Sequence, residues 1–353
     1  MTVSTLKVPR IGENVYALVE DGQIVELKIF NYAYSRNAIA GQVYIGRIKD
    51  VETRLSGAFI DMGEEVGFLS FDGPRPKYLT IGNTIKVKVQ KPRTNAKLAL
   101  VQFVGEVAKQ SKTIGQFTDV AEWGNWPHPR EATSFEADEI MAILEEISLR
   151  SIEIENGGNI TIEHTSALTA IDIDAGRRTA GGTNQRNFNH KLNISAAKEI
   201  MRQIKLRNLG GLIVIDFVGA PSKIEAAELL HLLKQYASMD RKCEILPLSK
   251  FGLCEIAREN LDLPLYEILG RNGERPNPRI AVDAINALAK ELQRSKGEKV
   301  RLEITAEAYN ELKNWNFDWQ NYIRNNIGGQ FDVVTAPIKE FEVKRNNALP
   351  DML

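Results

Sequence analysis

Two apolar runs that each carry aspartate constrain this chain more than any other feature. Ala167 to Thr179 reads ALTAIDIDAGRRT and Gly210 to Val218 reads GGLIVIDFV. Ile171, Ile173, Leu212, Val214 and Ile215 are residue types that fill a buried strand, so both runs are expected to be β-strands. An ionised carboxylate among apolar neighbours is costly unless it is paired, hydrogen-bonded or metal-bound. Asp172, Asp174 and Asp216 are therefore expected to be buried groups with a shared purpose. Side chains two apart on a strand point the same way, which places Asp172 and Asp174 at one rim. Asp216 completes the cluster if its strand lies alongside. Oxygen ligands without His or Cys suit Mg²⁺, or Mn²⁺ in its place, rather than zinc. The structural alternative is that these aspartates cap turns or pair with Arg177 and Arg178.

Between the two runs, Asn193 to Leu209 has helical spacing, with Gly210 as its expected stop. A right-handed crossover through that helix lays the second strand parallel to the first. Ligands of such strand pairs gather at the C-terminal edge, where a phosphate-binding cleft is favoured. Arg177 and Arg178 lie in the glycine-rich loop that follows the first strand, GRRTAGGTNQRN, where they either meet phosphate or are simply solvated. His164 and His190 show no partner in the sequence, and no serine or cysteine nucleophile is framed by a partnered histidine.

Upstream, Asn14 to Phe30 reads as a hairpin around Glu20-Asp21-Gly22. Five short strands follow, in QVYIGRIKDV, GAFIDMG, EVGFLSF, TIKVKVQK and KLALVQF, the pattern of a small Greek-key barrel of the OB type. Aromatic rings on such a barrel stack with bases while neighbouring cations meet phosphates. Phe59 and Phe68 are either that pair or barrel core, and Tyr44 is assigned to the core. Glu136 to Leu149 and Arg279 to Leu292 have the spacing of amphipathic helices, and a hairpin turning at Asn156-Gly157-Gly158 leads into the first carboxylate strand.

The order ALTAIDIDAGRRT, KLRNLGG, LIVIDF and SKFGLCEIARENL resembles the catalytic region of the ribonuclease E/G family, most densely from Asn159 to Leu261. GRIKDVETRLSGAFIDMGEEVGFL resembles that family's S1-type RNA-binding barrel. The resemblance implies an α+β chain in which residues 1–36 are the N-terminal hairpin of an RNase H-like subdomain and 37–108 are the S1-type OB barrel. Residues 109–165 would be a shortened linker with the RNase H-like remainder, 166–270 a deoxyribonuclease-I-like catalytic domain, and 271–353 a small C-terminal domain. Asp172 and Asp216 match the family's two metal-binding aspartates, and Asp174 stands where its members carry Asn. Phe59 and Phe68 match the base-stacking pair, and Lys91 matches a basic position on the same face. The implied activity is Mg²⁺-assisted hydrolysis of single-stranded RNA, with 5′-phosphate and 3′-hydroxyl products, in RNA processing or decay. No counterpart of the family's 5′-end sensor is evident between Val104 and Pro129. Gly270 to Pro278 occupies the place of the family's zinc link without cysteine, so zinc is not expected and any homo-oligomer would form without a zinc bridge.

Composition adds bounds. A net charge of −1 supplies no global field for a polyanion, so nucleic-acid binding would rest on local basic patches. Two cysteines, Cys243 and Cys254, fit a reducing compartment and form no disulfide framework. The opening MTVSTLKVPR lacks a signal peptide's apolar segment and no run is long enough to span a bilayer, which predicts a cytoplasmic protein with no membrane partner. Two alternatives to the nuclease are an RNA-binding scaffold with little catalysis and, more remotely, a Mg²⁺-dependent phosphohydrolase of small nucleotides.

Overall fold

Alternating apolar residues near the N-terminus build a meander: β1 (Val3–Arg10), β2 (Glu13–Glu20) and β3 (Gln23–Asn31), all antiparallel. Asp21 and Gly22 both take positive φ, 48° and 81°, which suits the two-residue turn that matches strand twist. The expected hairpin is therefore present, and a third strand precedes it. The computed structural model describes residues 2–33, 38, 40–63, 65–71, 73, 76–77, 79–93, 98–107, 114–116, 126–155, 157–176, 183–240, 242–260, 263–271, 273–295 and 297–346.

A five-stranded barrel comes next, made of β4 (Val43–Glu52), β5 (Gly57–Asp61), β6 (Val66–Ser70), β7 (Thr84–Lys91) and β8 (Ala99–Glu106). It closes in the order β4, β5, β6, β8, β7 and back to β4, with β6 and β8 parallel. Ile48, Ile60, Leu69, Ile85, Val87 and Val101 fill its interior. Tyr44 is half-buried against that core, as its assignment requires. β9 (Gly115–Gln116) pairs with β4, and β10 (Arg130–Glu131) returns to lie parallel to β1. Much of residues 104–129, where a 5′-end sensor would fall, lies outside the described residues. α1 (Ser134–Glu146) begins at a reciprocal Thr133/Glu136 cap and buries Ile140 and Leu144 against Leu6, Ala17 and Leu27 of the first sheet.

The aspartate runs belong to a six-stranded sheet. Its elements are β11 (Ser151–Ile154), β12 (Gly158–His164), β13 (Thr169–Asp174), α2 (Thr183–Leu206), β14 (Gly211–Asp216), α3 (Lys223–Ala237), β15 (Cys243–Ile245) and β16 (Leu253–Arg258). The spatial order is β11-β12-β13-β14-β16-β15, with β13 and β14 parallel. α2 and α3 supply Leu192, Ala196, Ile200, Leu229 and Leu233 to a core shared with Ile171, Ile173, Ile213 and Ile215. Cys254 is wholly inside this core, and burial pushes its thiol up to about 12, so it behaves as an apolar filler.

α2 starts ten residues before the expected helix, across a mostly polar segment in which only Phe188 and Leu192 are apolar. It also stops before Gly210. Asn208 is the left-handed residue, at φ 53°, and its side-chain amide donates to the Leu263 carbonyl. The Leu209 N–H closes the end on the Ile204 carbonyl, so Asn performs the role that the sequence assigned to Gly.

The chain finishes with α4 (Tyr266–Leu269), α5 (Asn277–Arg294), β17 (Lys299–Ile304), α6 (Ala306–Lys313), α7 (Trp319–Asn326), β18 (Gln330–Thr335) and β19 (Phe341–Asn346). A three-stranded sheet centred on β17 packs on α5, whose Ile280, Ala284, Ile285 and Leu288 are buried. α5 is also fastened to the first sheet by charge. Arg279 reaches the buried Glu13 carboxylate at 3.0 Å, and Arg10 reaches Asp283 at 2.9 Å.

Candidate active site

β13 and β14 alternate strictly between core and open face, and this decides where the aspartates go. Ile171, Ile173, Ile213 and Ile215 point at the helices, so Asp172, Asp174 and Asp216 are exposed on the opposite face. This corrects the expectation of buried carboxylates: the runs look apolar because one face is buried and Val214 and Leu212 share the other. Leu212 is itself 42% exposed.

The parallel register makes Asp172 and Asp216 direct partners across the two strands. Asp174 does not join them. Its Oδ1 accepts the Gly176 N–H at 2.9 Å, and its register partner is Asn159 of β12. The turn-capping alternative is thus realised for Asp174. Among the described residues no group of three or more His, Cys, Asp and Glu side chains is placed to hold a metal ion. The three-carboxylate cluster expected from spacing resolves into a pair plus a turn cap. Arg177 and Arg178 lie outside the described residues.

The pair floors a hollow of about 590 Å³ lined by Arg150, Thr161, Glu163, Asp172, Asp216 and Leu253 among others. Arg150, ion-paired with Glu163, brings a cation to the same face as the aspartates. Thr161 is the register partner of Asp172 on β12. Alternation along the β11/β12 hairpin places Thr161 and Glu163 on one face, a signal present in GNITIEH.

On the barrel, Phe59 and Phe68 are register partners on β5 and β6, half-buried, with ring centroids 5.5 Å apart at 63°. Their neighbours Ala58, Ile60 and Leu69 occupy the interior, so the two rings belong to the outer surface and not to the core. Gly57 permits this placement. A Cβ there would lie 2.0 Å from the Phe68 ring, so only glycine lets that ring lie across the strand. Lys91 ends β7, exposed, and Arg47 is exposed on β4.

Phe59, Phe68 and Lys91 open onto a cleft of about 760 Å³ whose far wall is Gly210, Asn260, Pro264 and Tyr266 of the six-stranded unit. The barrel's aromatic face and the aspartate-bearing unit therefore border one space. His164 sits beneath that wall, its ring stacked on Tyr266 at 3.9 Å and its Nδ1 3.2 Å from the Thr169 hydroxyl. Burial, with Arg207 and Arg271 nearby, pushes its imidazole down to about 4. His164 is a packed, neutral residue, and His190 contacts Glu228 at 3.1 Å.

An OB-type barrel joined to a helix-backed sheet with paired aspartates on its open face defines an α+β protein of several units. The Ribonuclease E/G family model matches residues 99–261, the span that contains both aspartates. The chain is 39% identical to ribonuclease E of Escherichia coli strain K12 over 139 residues, which cover 39% of this chain and 13% of that protein. It is 30% identical to ribonuclease E of Haemophilus influenzae over 223 residues, 60% of this chain and 23% of the other. Ribonuclease G of Salmonella typhimurium is 33% identical over 146 residues, 41% of this chain and 30% of that protein. These matches span between 13% and 30% of the relatives' own lengths. Over residues 99–261 the chain is similar to the ribonuclease E/G family.

Proposed function

We propose that this chain is an endoribonuclease that hydrolyses phosphodiester bonds of single-stranded RNA in RNA processing or decay. The observation that carries the reading is the Asp172/Asp216 pair, in register on parallel strands and exposed within the segment that matches the family model. Two hard oxygen donors on an open face fit Mg²⁺, which keeps several waters when protein ligands are few. Asp172 and Asp216 would hold the ion. Mg²⁺ bound there supplies charge stabilisation at the scissile phosphate and a more acidic water, chemistry that leaves a 5′-phosphate and a 3′-hydroxyl.

The remaining residues bind and orient. Phe59 and Phe68 stack on successive bases and Lys91 balances phosphate charge where the three line the cleft. Arg177 and Arg178, which follow Asp174 closely in the sequence, are assigned to phosphate contact. Asp174, whose carboxylate accepts the Gly176 N–H, assists the pair from the same face of the sheet. A homo-oligomer would assemble without zinc, given Gly270 to Pro278. The setting is the cytoplasm, to which the free thiols of Cys243 and Cys254 are suited. No helix among the described residues is long and apolar enough to cross a membrane.

Asp174's engagement in a turn favours one second reading, an RNA-binding scaffold with weak catalysis. Incubating an unstructured, end-labelled RNA with the protein and Mg²⁺ separates the two. Internal cleavage abolished by EDTA supports the nuclease; tight binding without cleavage supports the scaffold.

A further inference from the structure

We propose that Phe251 is a base-stacking residue at the catalytic rim, holding a nucleobase next to the bond that is cut, with Lys250 beside it meeting the adjoining phosphate. This inference rests on the nuclease reading of Asp172 and Asp216. Single apolar side chains on a surface are ordinary and by themselves mean nothing. Phe251 differs in three respects.

It is 86% exposed, the most exposed large apolar residue among those described. Its backbone is also fixed within a hydrogen-bonded turn. The Ser249 hydroxyl oxygen accepts the N–H groups of Phe251 at 3.3 Å and Leu253 at 3.2 Å, while the Ser249 N–H donates to the Leu253 carbonyl at 2.8 Å. The Gly252 N–H closes the turn on the Ser249 carbonyl at 3.1 Å, and Gly252 takes φ 87°, a conformation that L side chains rarely adopt. A mobile loop could fold an exposed ring back onto the protein; this turn presents it outward.

The third respect is position. The Gly252 carbonyl accepts the N–H of Phe217, the residue directly after Asp216, at 3.4 Å. Leu253, two residues after Phe251, is the register partner of Asp216 and lines the same hollow. The turn is thus fastened to the strand end that carries the aspartate. Lys250 is exposed and enters no ion pair among the described residues. An uncovered ring next to an uncommitted cation is the pairing that single-stranded nucleic acid uses, a π face for the base and a charge for the phosphate. A purely apolar protein partner would have no use for the lysine.

Stacking can be read without cleavage. A set of short RNAs, each with 2-aminopurine at one position, is bound in EDTA to the wild type, Phe251→Ala and Phe251→Tyr. The inference expects one position at which wild type and Phe251→Tyr quench the fluorophore and Phe251→Ala does not, with positions quenched by the barrel unchanged. With Mg²⁺ added, Phe251→Ala should raise KM by about 5- to 150-fold, the range set by losing one stacked base. Phe251 is exposed, so the alanine variant should melt at the wild-type temperature. Identical quenching by all three proteins overturns the inference and leaves the nuclease reading intact if cleavage persists. Phe251-dependent quenching without cleavage by the wild type keeps the inference and removes the nuclease reading. Conversion of a dimer to a monomer by Phe251→Ala, seen in sedimentation, would assign the ring to a protein interface and overturn the inference.

Discussion

Asp172 and Asp216 face each other as register partners on adjacent parallel strands, on the side of the sheet that α2 and α3 leave open. Neither contributes to the core, whose share of these strands is Ile171, Ile173, Ile213 and Ile215. A carboxylate pair in water-facing positions repels itself for no structural gain, which is why the pair is read as functional.

Stability follows from that exposure. Asp172→Asn and Asp216→Asn should change unfolding free energy by less than about 0.5 kcal/mol, as surface substitutions do. Urea melts of the two variants check this. A large loss would mean that the carboxylates hold the sheet together.

Gly57 controls the barrel's aromatic face. Gly57→Ala places a methyl 2.0 Å from the Phe68 ring, which must swing away from the strand. RNA affinity, measured by anisotropy in EDTA, should fall by up to the 5- to 150-fold that corresponds to about 1–3 kcal/mol for one stacked base. Unchanged affinity would remove Phe68 from the binding surface.

The ion network between α5 and the first sheet should be costly to break. Arg279→Leu leaves the fully buried Glu13 with Arg10 alone, and the expected destabilisation is about 3 kcal/mol, the lower part of the range for a broken buried pair. Differential scanning calorimetry of this variant would show it as a marked fall in Tm. A Tm near that of the wild type would mean that Arg10 suffices.

Acid sensitivity should come in two stages. His164 has its pKa held down to about 4 by burial and by two nearby arginines, against an ordinary value of 6.5. Between those pH values the unfolded chain binds a proton that the native chain refuses, so stability is full above pH 6.5 and declines toward pH 4. His164→Gln should flatten that limb. Burial opposes ionisation of Asp283, but Arg279 and Arg10 outweigh it and hold its pKa below 3.8. Its contribution is present above pH 3.8 and lost as pH falls through the lowered native value, so Asp283→Asn should flatten only the more acidic limb. Melting curves across pH distinguish the two variants; coincident profiles would refute both assignments.

Much of this architecture is legible in local pattern. Glycine turns and five short runs announced the barrel, the Ile-x-Ile spacing announced β13, and the Asp21-Gly22 turn announced the β2/β3 hairpin. What depended on tertiary context was less accessible. The runs around Asp172 and Asp216 read as buried on both faces because composition cannot tell which face a helix will cover. The first turns of α2 are polar, and the helix ended on Asn208 because a carbonyl of distant Leu263 was there to receive its amide. Arg150 enters the aspartate hollow through sheet order, which no local spacing encodes. Phe251 reads as an ordinary apolar residue in SKFGL until the Ser249 turn is seen to expose it.

The most direct test of the account is a cleavage assay on unstructured RNA with Mg²⁺, comparing wild type with Asp172→Asn at equal, verified RNA binding. The account predicts internal cuts leaving 5′-phosphates, lost by at least about a hundredfold in the variant, since removing a charge-stabilising group from an active site costs on that order. Cleavage by Asp172→Asn at the wild-type rate would contradict it.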